Sequence, residues 1–368
     1  MHTQRIHLLN TQDDLAKWLK RAESHIKVAI DLEANSLHVY PEQLCLIQIG
    51  TSHRAAVIDP LLPLDLSPLK AFLGSCTLVI HDAAYDLRLF QRHLQFSPED
   101  LFDTMIAARL CGFTSFGLAD LVSQLLGVQI DKSLQKMDWA QRPLSPRMLA
   151  YAEQDTRYLL EIAEILENRL RELGRLDWHE ESCRSLILKS RLPEDPDHDG
   201  CWRLRGSGSL SRYQLAMLRE LWHWREKIAR ERRRPPYFVV AHEKLIYLAS
   251  CLGAGSPGRE SAFVSLPDGL PAGWRQEMIS IRERVWGLTP EEWPEIRSGT
   301  PQAKDRATER RLDRLMRKRN FKAQQLNIEP TLIASRATLM RLARDWESGL
   351  PFLMKWQQQL LSEEPSSA

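Results

Sequence analysis

The stretch Val28-Ala29-Ile30-Asp31-Leu32-Glu33 is an apolar run that ends in two carboxylates. Read as a strand, it points Asp31 and Glu33 the same way, because side chains on a strand alternate with a period of two. Paired acids at the end of a buried strand suit a bound cation. Taken alone, the pair is also what an ordinary strand running into an acidic loop presents. Two further acids lie downstream. The apolar run Thr77-Leu78-Val79-Ile80 leads into His81-Asp82-Ala83-Ala84-Tyr85-Asp86, which sets Asp86 at the start of a helix just past a strand end. Tyr151 and Asp155, in Tyr151-Ala152-Glu153-Gln154-Asp155, are four residues apart and share one helix face. By itself that pair also suits a surface helix.

The elements that must carry these residues alternate over the first half of the chain. Arg5 to Leu9 alternates like a strand, and Thr11 can cap a helix from Asp13 to about Glu23. Lys27 to Leu32 is a buried strand. Leu44 to Ile49 and Ala55 to Ile58 predict two more, joined as a hairpin at Gly50-Thr51-Ser52. A short helix over Leu69 to Leu73 precedes the strand Thr77 to Ile80. From Asp86 to Glu172 the pattern is mainly helical, broken by Gly112, Gly117, Gly127 and Pro143. A hairpin-bearing sheet followed by helices predicts an α/β fold with a mixed sheet.

The length of 368 residues leaves room for two or three domains. With 43% hydrophobic and 27% charged residues, the composition is that of a soluble globular protein. No run approaches the roughly 18 apolar residues of a membrane span, so no membrane helix is expected. Met1-His2-Thr3-Gln4-Arg5 leads into no apolar core with a small-residue cleavage site, so no signal peptide is expected either. The six cysteines, at 45, 76, 111, 183, 201 and 251, form no C-x-x-C pair. That argues against a zinc site or a disulfide framework and favours a reducing cytoplasm. The net charge of +2 hides an asymmetry: residues 1–190 hold 20 Lys and Arg against 25 Asp and Glu, and residues 191–368 hold 30 against 23. An acidic half followed by a basic half suggests that chemistry and polyanion binding are divided between domains, although drift and solvated helix faces give the same imbalance.

Asp31-x-Glu33, then Asp86 after a buried strand and a histidine, then Tyr151-x-x-x-Asp155, resemble the three exonuclease motifs of the DEDD superfamily in its tyrosine-bearing branch. Between the last two motifs lie Phe102-Asp103-Thr104, Gly127-Val128, Asp131-Lys132-Ser133-x-Gln135, Asp138-Trp139 and Arg142-Pro143-Leu144. Over roughly residues 25–165 the chain is similar to the bacterial ribonuclease D family. The resemblance implies a ribonuclease H-like fold, in keeping with the mixed sheet. It makes Asp31, Glu33, Asp86 and Asp155 ligands of two divalent cations, and it gives Tyr151 the task of positioning the attacking water.

The residue types suit that chemistry. Four crowded carboxylates raise one another's pKa, and two cations relieve the repulsion. Hard oxygen donors select Mg²⁺ or Mn²⁺ over zinc. Two such ions about 3.5–4 Å apart can hold the attacking and leaving oxygens of an in-line phosphoryl displacement. A free phenol titrates near about 10, so Tyr151 is an orienter or at most a weak base. The same resemblance sets Leu37, four residues beyond Glu33, against the terminal base, and lines the terminal nucleotide's site with His81 and Asp82. Simple packing for Leu37 and a structural role for His81 are the plain alternatives. Leu32 points away from the acids and belongs to the core.

Residues 191–200 are polar, with two prolines and a glycine, and read as a linker. The chain beyond residue 200 is helical in pattern and repeats at a constant offset of 94: Leu218 with Leu312, Leu221 with Leu315, Arg225 with Arg319, Ala229 with Ala323, Pro236 with Pro330, Leu245 with Leu339, Leu248 with Leu342, Gly255 with Gly349, Pro257 with Pro351. The repeat predicts two copies of one small helical domain. The first, with Leu218-Arg219-Glu220-Leu221-Trp222-x-Trp224-Arg225 and Arg234-Pro235-Pro236, resembles the HRDC domain; the second lacks the tryptophan pair and rests on the repeat. Trp222 and Trp224 cannot share a helix face, so one is core and the other a partial surface anchor. Two basic runs stand out, Arg230-x-Arg232-Arg233-Arg234 and Arg310-Arg311-x-x-Arg314-x-x-Arg317-Lys318-Arg319. Arg310, Arg314, Arg317 and Lys318 form a helical stripe of the kind that binds phosphate backbones. A solvated face balanced by Asp305, Glu309 and Asp313 is the alternative. No aromatic residue is interleaved, which favours recognition of backbone or shape.

These readings combine into an α/β, ribonuclease H-like mixed-sheet exonuclease domain over 1–190, a linker over 191–209, an HRDC domain over 210–290, a second HRDC-like all-α domain over 291–361 and a tail over 362–368. The implied function is that of a 3′→5′ exoribonuclease dependent on two divalent cations, Mg²⁺ or Mn²⁺. It would release nucleoside 5′-monophosphates from RNA with a free 3′ end, with tRNA precursors implied by the resemblance, and act away from membranes. A DNA 3′→5′ exonuclease in repair uses the same metal chemistry, and no residue here reads a 2′-hydroxyl, so the choice of RNA rests on the resemblance. A non-catalytic nucleic-acid scaffold is the rival of another class, and the presence of all four acids with the tyrosine argues against it.

Overall fold

The computed structural model of the chain describes residues 7–22, 26–131, 133–192, 200–254, 272–296 and 305–362. Six strands form one sheet: β1 (His7–Leu9), β2 (Lys27–Ala34), β3 (Leu44–Gly50), β4 (Ala55–Ile58), β5 (Thr77–Ile80) and β6 (Asp100–Asp103), in the order β1-β4-β3-β2-β5-β6. β2, β3 and β4 are antiparallel; β1 pairs in parallel with β4, β5 with β2, and β6 with β5. The sheet is mixed, as the hairpin signal predicts. The helical reading of 86–172 passes over β6, which interrupts it. The four residues of β6 begin and end in acids, and its strand character comes from in-register pairing with all of β5.

Alternation sorts the sheet into two faces. Val28, Ile30 and Leu32 on β2, with Ile47, Ile49 and Ile58, pack against α1 (Gln12–Ala22), α2 (Ser67–Gly74) and α3 (Ala84–Leu89). The other face of β2 carries Ala29, Asp31 and Glu33. Helices α4 (Thr104–Leu110), α5 (Leu118–Leu126), α6 (Pro146–Arg157) and α7 (Leu159–Glu172) cover that side, and α8 (Leu176–Ser190) comes after them.

The offset of 94 returns as structure. The helices α9 (Arg212–Glu231), α10 (Pro236–Val239) and α11 (His242–Leu252) correspond to α13 (Arg306–Leu326), α14 (Pro330–Ile333) and α15 (Arg336–Arg344). Between the copies lies α12 (Ala272–Trp286), and α16 (Trp346–Gly349) and α17 (Lys355–Ser362) end the described chain. Gly255 and Pro257 lie outside the described residues.

The described residues of 1–35, 44–193 and 304–368 form one compact unit, and those of 36–43 and 194–303 form another. In the first unit the second helical copy shares a core with the α/β part: Leu312, Ile333, Leu339 and Trp356 cluster with Ala107, Leu121 and Leu159. Buried Arg175 binds both, donating to Leu110 O at 2.6 Å and to Leu326 O at 2.7 Å. Gly112, at φ +87°, lies so close to Asn327 that a Cβ would stand 2.5 Å from its carbonyl oxygen. In the second unit Leu218, Leu221, Trp224, Leu245 and Met278 form the core, and Trp222 is half-buried at its margin. Trp202 is buried there too, so the stretch read as linker ends in packed structure, and residues 193–199 lie outside the described ones. Among the described residues no helix is long and apolar enough to cross a membrane.

Candidate active site

Asp31 and Glu33 stand on the helix-covered face of β2, and the pairing of β2 with β3 slips immediately after Glu33. Such a bulge bends a strand end and re-aims its side chains. Asp155 comes from the opposite layer, on α6. That helix starts at Pro146 after Ser145, whose hydroxyl accepts from Met148 N as an N-cap. One oxygen each from Asp31, Glu33 and Asp155 lie within 4.8 Å of one another. Asp86, buried on α3, stands close enough to Asp31 for its charge to be felt there. The four acids of the sequence motifs therefore converge from one strand end and two helices.

Burial is the first cause that holds all four carboxyls above the usual carboxylate range. Mutual repulsion adds to it: Asp31 raises Asp86 and Asp155, while Asp31, Asp155 and Asp86 together raise Glu33. An acidic cluster held that way favours either protons or cations, and its donors are all hard oxygens of the kind that suit Mg²⁺ or Mn²⁺.

Tyr151 lies one turn before Asp155 and is almost buried, its ring 5.7 Å from that of Trp139. Burial, then the charges of Asp155 and Glu33, push its phenol well up. Trp139 is held in place by a loop that Arg142 fastens. The guanidinium grips Asp59 with two hydrogen bonds, at 2.6 and 2.8 Å, and also donates to Trp139 O and Cys45 O. Bidentate pairing of this kind fixes direction as well as distance.

The remaining expected positions are more scattered. His81 joins its Nδ1 to Thr104 Oγ1 at 2.9 Å, which ties the turn after β5 to the start of α4. Asp82 is exposed in the left-handed region at φ 59° and is not a member of the carboxylate cluster. Leu37, 51% exposed, belongs to the segment 36–43 that clusters with the second unit. A residue without an assigned role in the sequence proves structural: buried Asp103 accepts from Met105 N and Ile106 N as the cap of α4, and from Ala83 N beside Asp86's helix. Its signal is the run Phe102-Asp103-Thr104, which carries a resemblance but no contact.

On α13, Arg310, Arg314 and Arg317 are exposed and Lys318 is half-buried, whereas Arg319, the last of the run, is buried and faces inward. The absence of aromatics among the basic runs does not hold on the surface. Phe321, 54% exposed, continues the Arg310-Arg314-Arg317 face at helical spacing. Beside Arg232, Arg233 and Arg234, Tyr237 and Phe238 are exposed as well, with the Arg234 guanidinium 5.8 Å from the Phe238 ring.

Known protein families match two stretches of the chain. Residues 6–171 match the 3′-5′ exonuclease family and residues 214–252 match the HRDC domain. The chain is 31% identical over 361 residues to the ribonuclease D of Sphingobium indicum, covering 95% of this chain and 91% of that one. It is 36% identical over 246 residues to the ribonuclease D of Escherichia coli K12, covering 65% of this chain and 64% of that one. Among solved structures, Escherichia coli RNase D, described as an exoribonuclease involved in structured RNA processing, superposes with a TM-score of 0.77 at 28% identity, covering 99% of this chain and 100% of that one.

Proposed function

The chain belongs to the ribonuclease D family and is a 3′→5′ exoribonuclease, and we propose that it trims the 3′ ends of structured RNA, tRNA precursors in particular, by two-metal hydrolysis. The observation that carries the mechanism is the convergence of Asp31, Glu33 and Asp155 within 4.8 Å. In this reading Asp31, Glu33, Asp155 and Asp86 would together hold two divalent cations. Bound ions of this kind lower the pKa of a water and neutralise charge on a departing 3′-oxygen. The protein's own part is to place and orient. Tyr151, whose phenol is pushed up by burial and by the acids around it, holds the attacking water by its hydroxyl as an orienter, or at most a weak base. Trp139 and the Arg142–Asp59 clamp keep that phenol aimed. His81, Asp82 and Leu37 are assigned to the terminal nucleotide, and Arg310, Arg314, Arg317 and Lys318 to the RNA backbone.

The domain division that goes with this function is 1–190 for the exonuclease, 191–209 for the linker, 210–290 and 291–361 for the two HRDC-type domains, and 362–368 for the tail. Six cysteines in the thiol form fit the reducing cytoplasm in which such substrates are made. The test is a 3′-extended tRNA precursor against single-stranded DNA of equal length, each with Mg²⁺, Mn²⁺ or chelator. Stepwise shortening of the RNA with metal, and none with chelator, is expected. Equal degradation of DNA would make the enzyme a general 3′→5′ exonuclease, and activity that survives chelator would remove the metals from the mechanism.

A further inference from the structure

Gln48 sits in the middle of β3 and is completely buried, and neither its amide nitrogen nor its amide oxygen has a hydrogen-bond partner. Buried amides are nearly always paired, so an orphan of this kind calls for an explanation. Its place supplies one. Gln48 is directly opposite Asp31 across the β2–β3 ladder and opposite Val57 on β4. Opposite residues in an antiparallel pair point to the same face, with Cβ atoms about 4.5–5.5 Å apart. Gln48 therefore shares the face of the carboxylates. Its neighbours on that face, Leu46 and Val57, pack with Tyr151 and Ala152 of α6, and Gly50 lies against Thr156 of the same helix. An apolar side chain would complete that layer without stranding two polar atoms. The amide instead lies in the layer between the strand that carries Asp31 and the helix that carries Asp155.

We propose that Gln48 is a positioning residue for the cation-loaded cluster, donating from Nε2 to the Asp31 carboxylate and accepting at Oε1 from water held at the cluster. The inference rests on the metal reading of Asp31, Glu33, Asp86 and Asp155. An ionised carboxylate that gives one oxygen to a cation has lone pairs left to be fixed, and the group that fixes them sets the direction of the ligand. The amide keeps its shape at every pH of interest, so it can hold Asp31 without adding charge to an already crowded site.

The test uses the full chain with Gln48→Met, which keeps length and volume and removes both polar atoms, and measures Mn²⁺ binding by titration calorimetry beside thermal melting with and without Mn²⁺. The metal-free variant is expected to melt at or above the wild type, because an unpaired amide has gone. Its Mn²⁺ affinity is expected to fall about 10–100-fold, as for other groups that orient a metal ligand, and the Mn²⁺-induced rise in melting temperature to shrink with it. RNA shortening should recover as Mn²⁺ is raised, with KM for RNA unchanged. Wild-type Mn²⁺ affinity in the variant would overturn the role of Gln48 and leave the metal reading standing. Absence of Mn²⁺ binding by the wild type would instead overturn the metal reading, and this inference with it. Gln48→Leu serves as the second variant. Loss of the fold in both would also overturn the proposal, since a side chain without partners is not one the fold depends on.

Discussion

Asp31 on β2 and Asp155 on α6 bring carboxylate oxygens within 4.8 Å of each other from opposite layers of the domain. Both are held above the ordinary carboxylate range, by burial first, and Asp155 also by the charge of Asp31. Such a pair stabilises nothing in the metal-free protein. For an acid whose folded pKa is raised, the native state binds more protons than the unfolded one above about pH 4, so stability falls as pH rises through the folded value. For Asp155 that value is pushed up to about 8. Asp155→Asn should therefore melt higher than the wild type at pH 8 without metal, with the difference vanishing near pH 4. The same variant should lose at least the ~100-fold in activity that a misplaced metal ligand costs, while RNA binding in chelator is retained. A variant with full Mg²⁺-dependent activity would remove Asp155 from the site.

Tyr151 differs from the acids in that its ring and its hydroxyl do separate work. The ring fills the pocket against Trp139 and Met148, and Phe at this position fills it equally. Tyr151→Phe should keep the fold and the RNA affinity and slow the single-turnover step by about 100-fold, the scale of a mispositioned reactant. An unchanged single-turnover rate would show that the hydroxyl does not orient the water.

The acids and the tyrosine are legible in the sequence because their geometry is local. A period of two aligns Asp31 with Glu33, and a step of four aligns Tyr151 with Asp155. The supports are not legible, because each depends on a contact between distant segments. Arg142 reaches Asp59 across the fold, Asp103 ties together two helix starts, and the isolation of Gln48 is visible only with its neighbours in place. The strand β6 and the burial of Trp202 escape the sequence for the same reason. The one is made by its partner strand, and the other sits beside proline and glycine signals that describe only its surroundings.

The α13 face makes a prediction about salt. Arg310, Arg314 and Arg317 lie along one stripe at the surface. Each phosphate contact on single-stranded nucleic acid contributes about 0.7 to the slope of log affinity against log salt. The triple Ala variant should bind RNA more weakly at low salt, with a slope shallower by about 2, and should keep its melting temperature because none of the three is buried. Fluorescence anisotropy across a salt series reads the slope directly. An unaltered slope would return the stripe to the role of a solvated face.

Buried arginines at the repeat distance of 94 residues make the last prediction. Arg225 donates to Val240 O at 3.4 Å and Arg319 to Ala334 O at 3.0 Å, so each copy closes its long helix onto the same turn. Their neighbours differ. Arg225 pairs with buried Glu226, which also accepts from Tyr40, whereas Arg319 pairs with neutral Asn320. Arg225→Met leaves a carboxylate buried without its cation and should cost the second unit about 3–5 kcal/mol. Arg319→Met strands only neutral acceptors and should cost about 1–3 kcal/mol. Adding Glu226→Gln to Arg225→Met should recover part of the larger loss, because the uncompensated charge goes with it. Equal losses in denaturant unfolding for the two single variants, with no recovery in the double, would show that the shared carbonyl contact, and not the neighbouring charge, sets the stability of each copy.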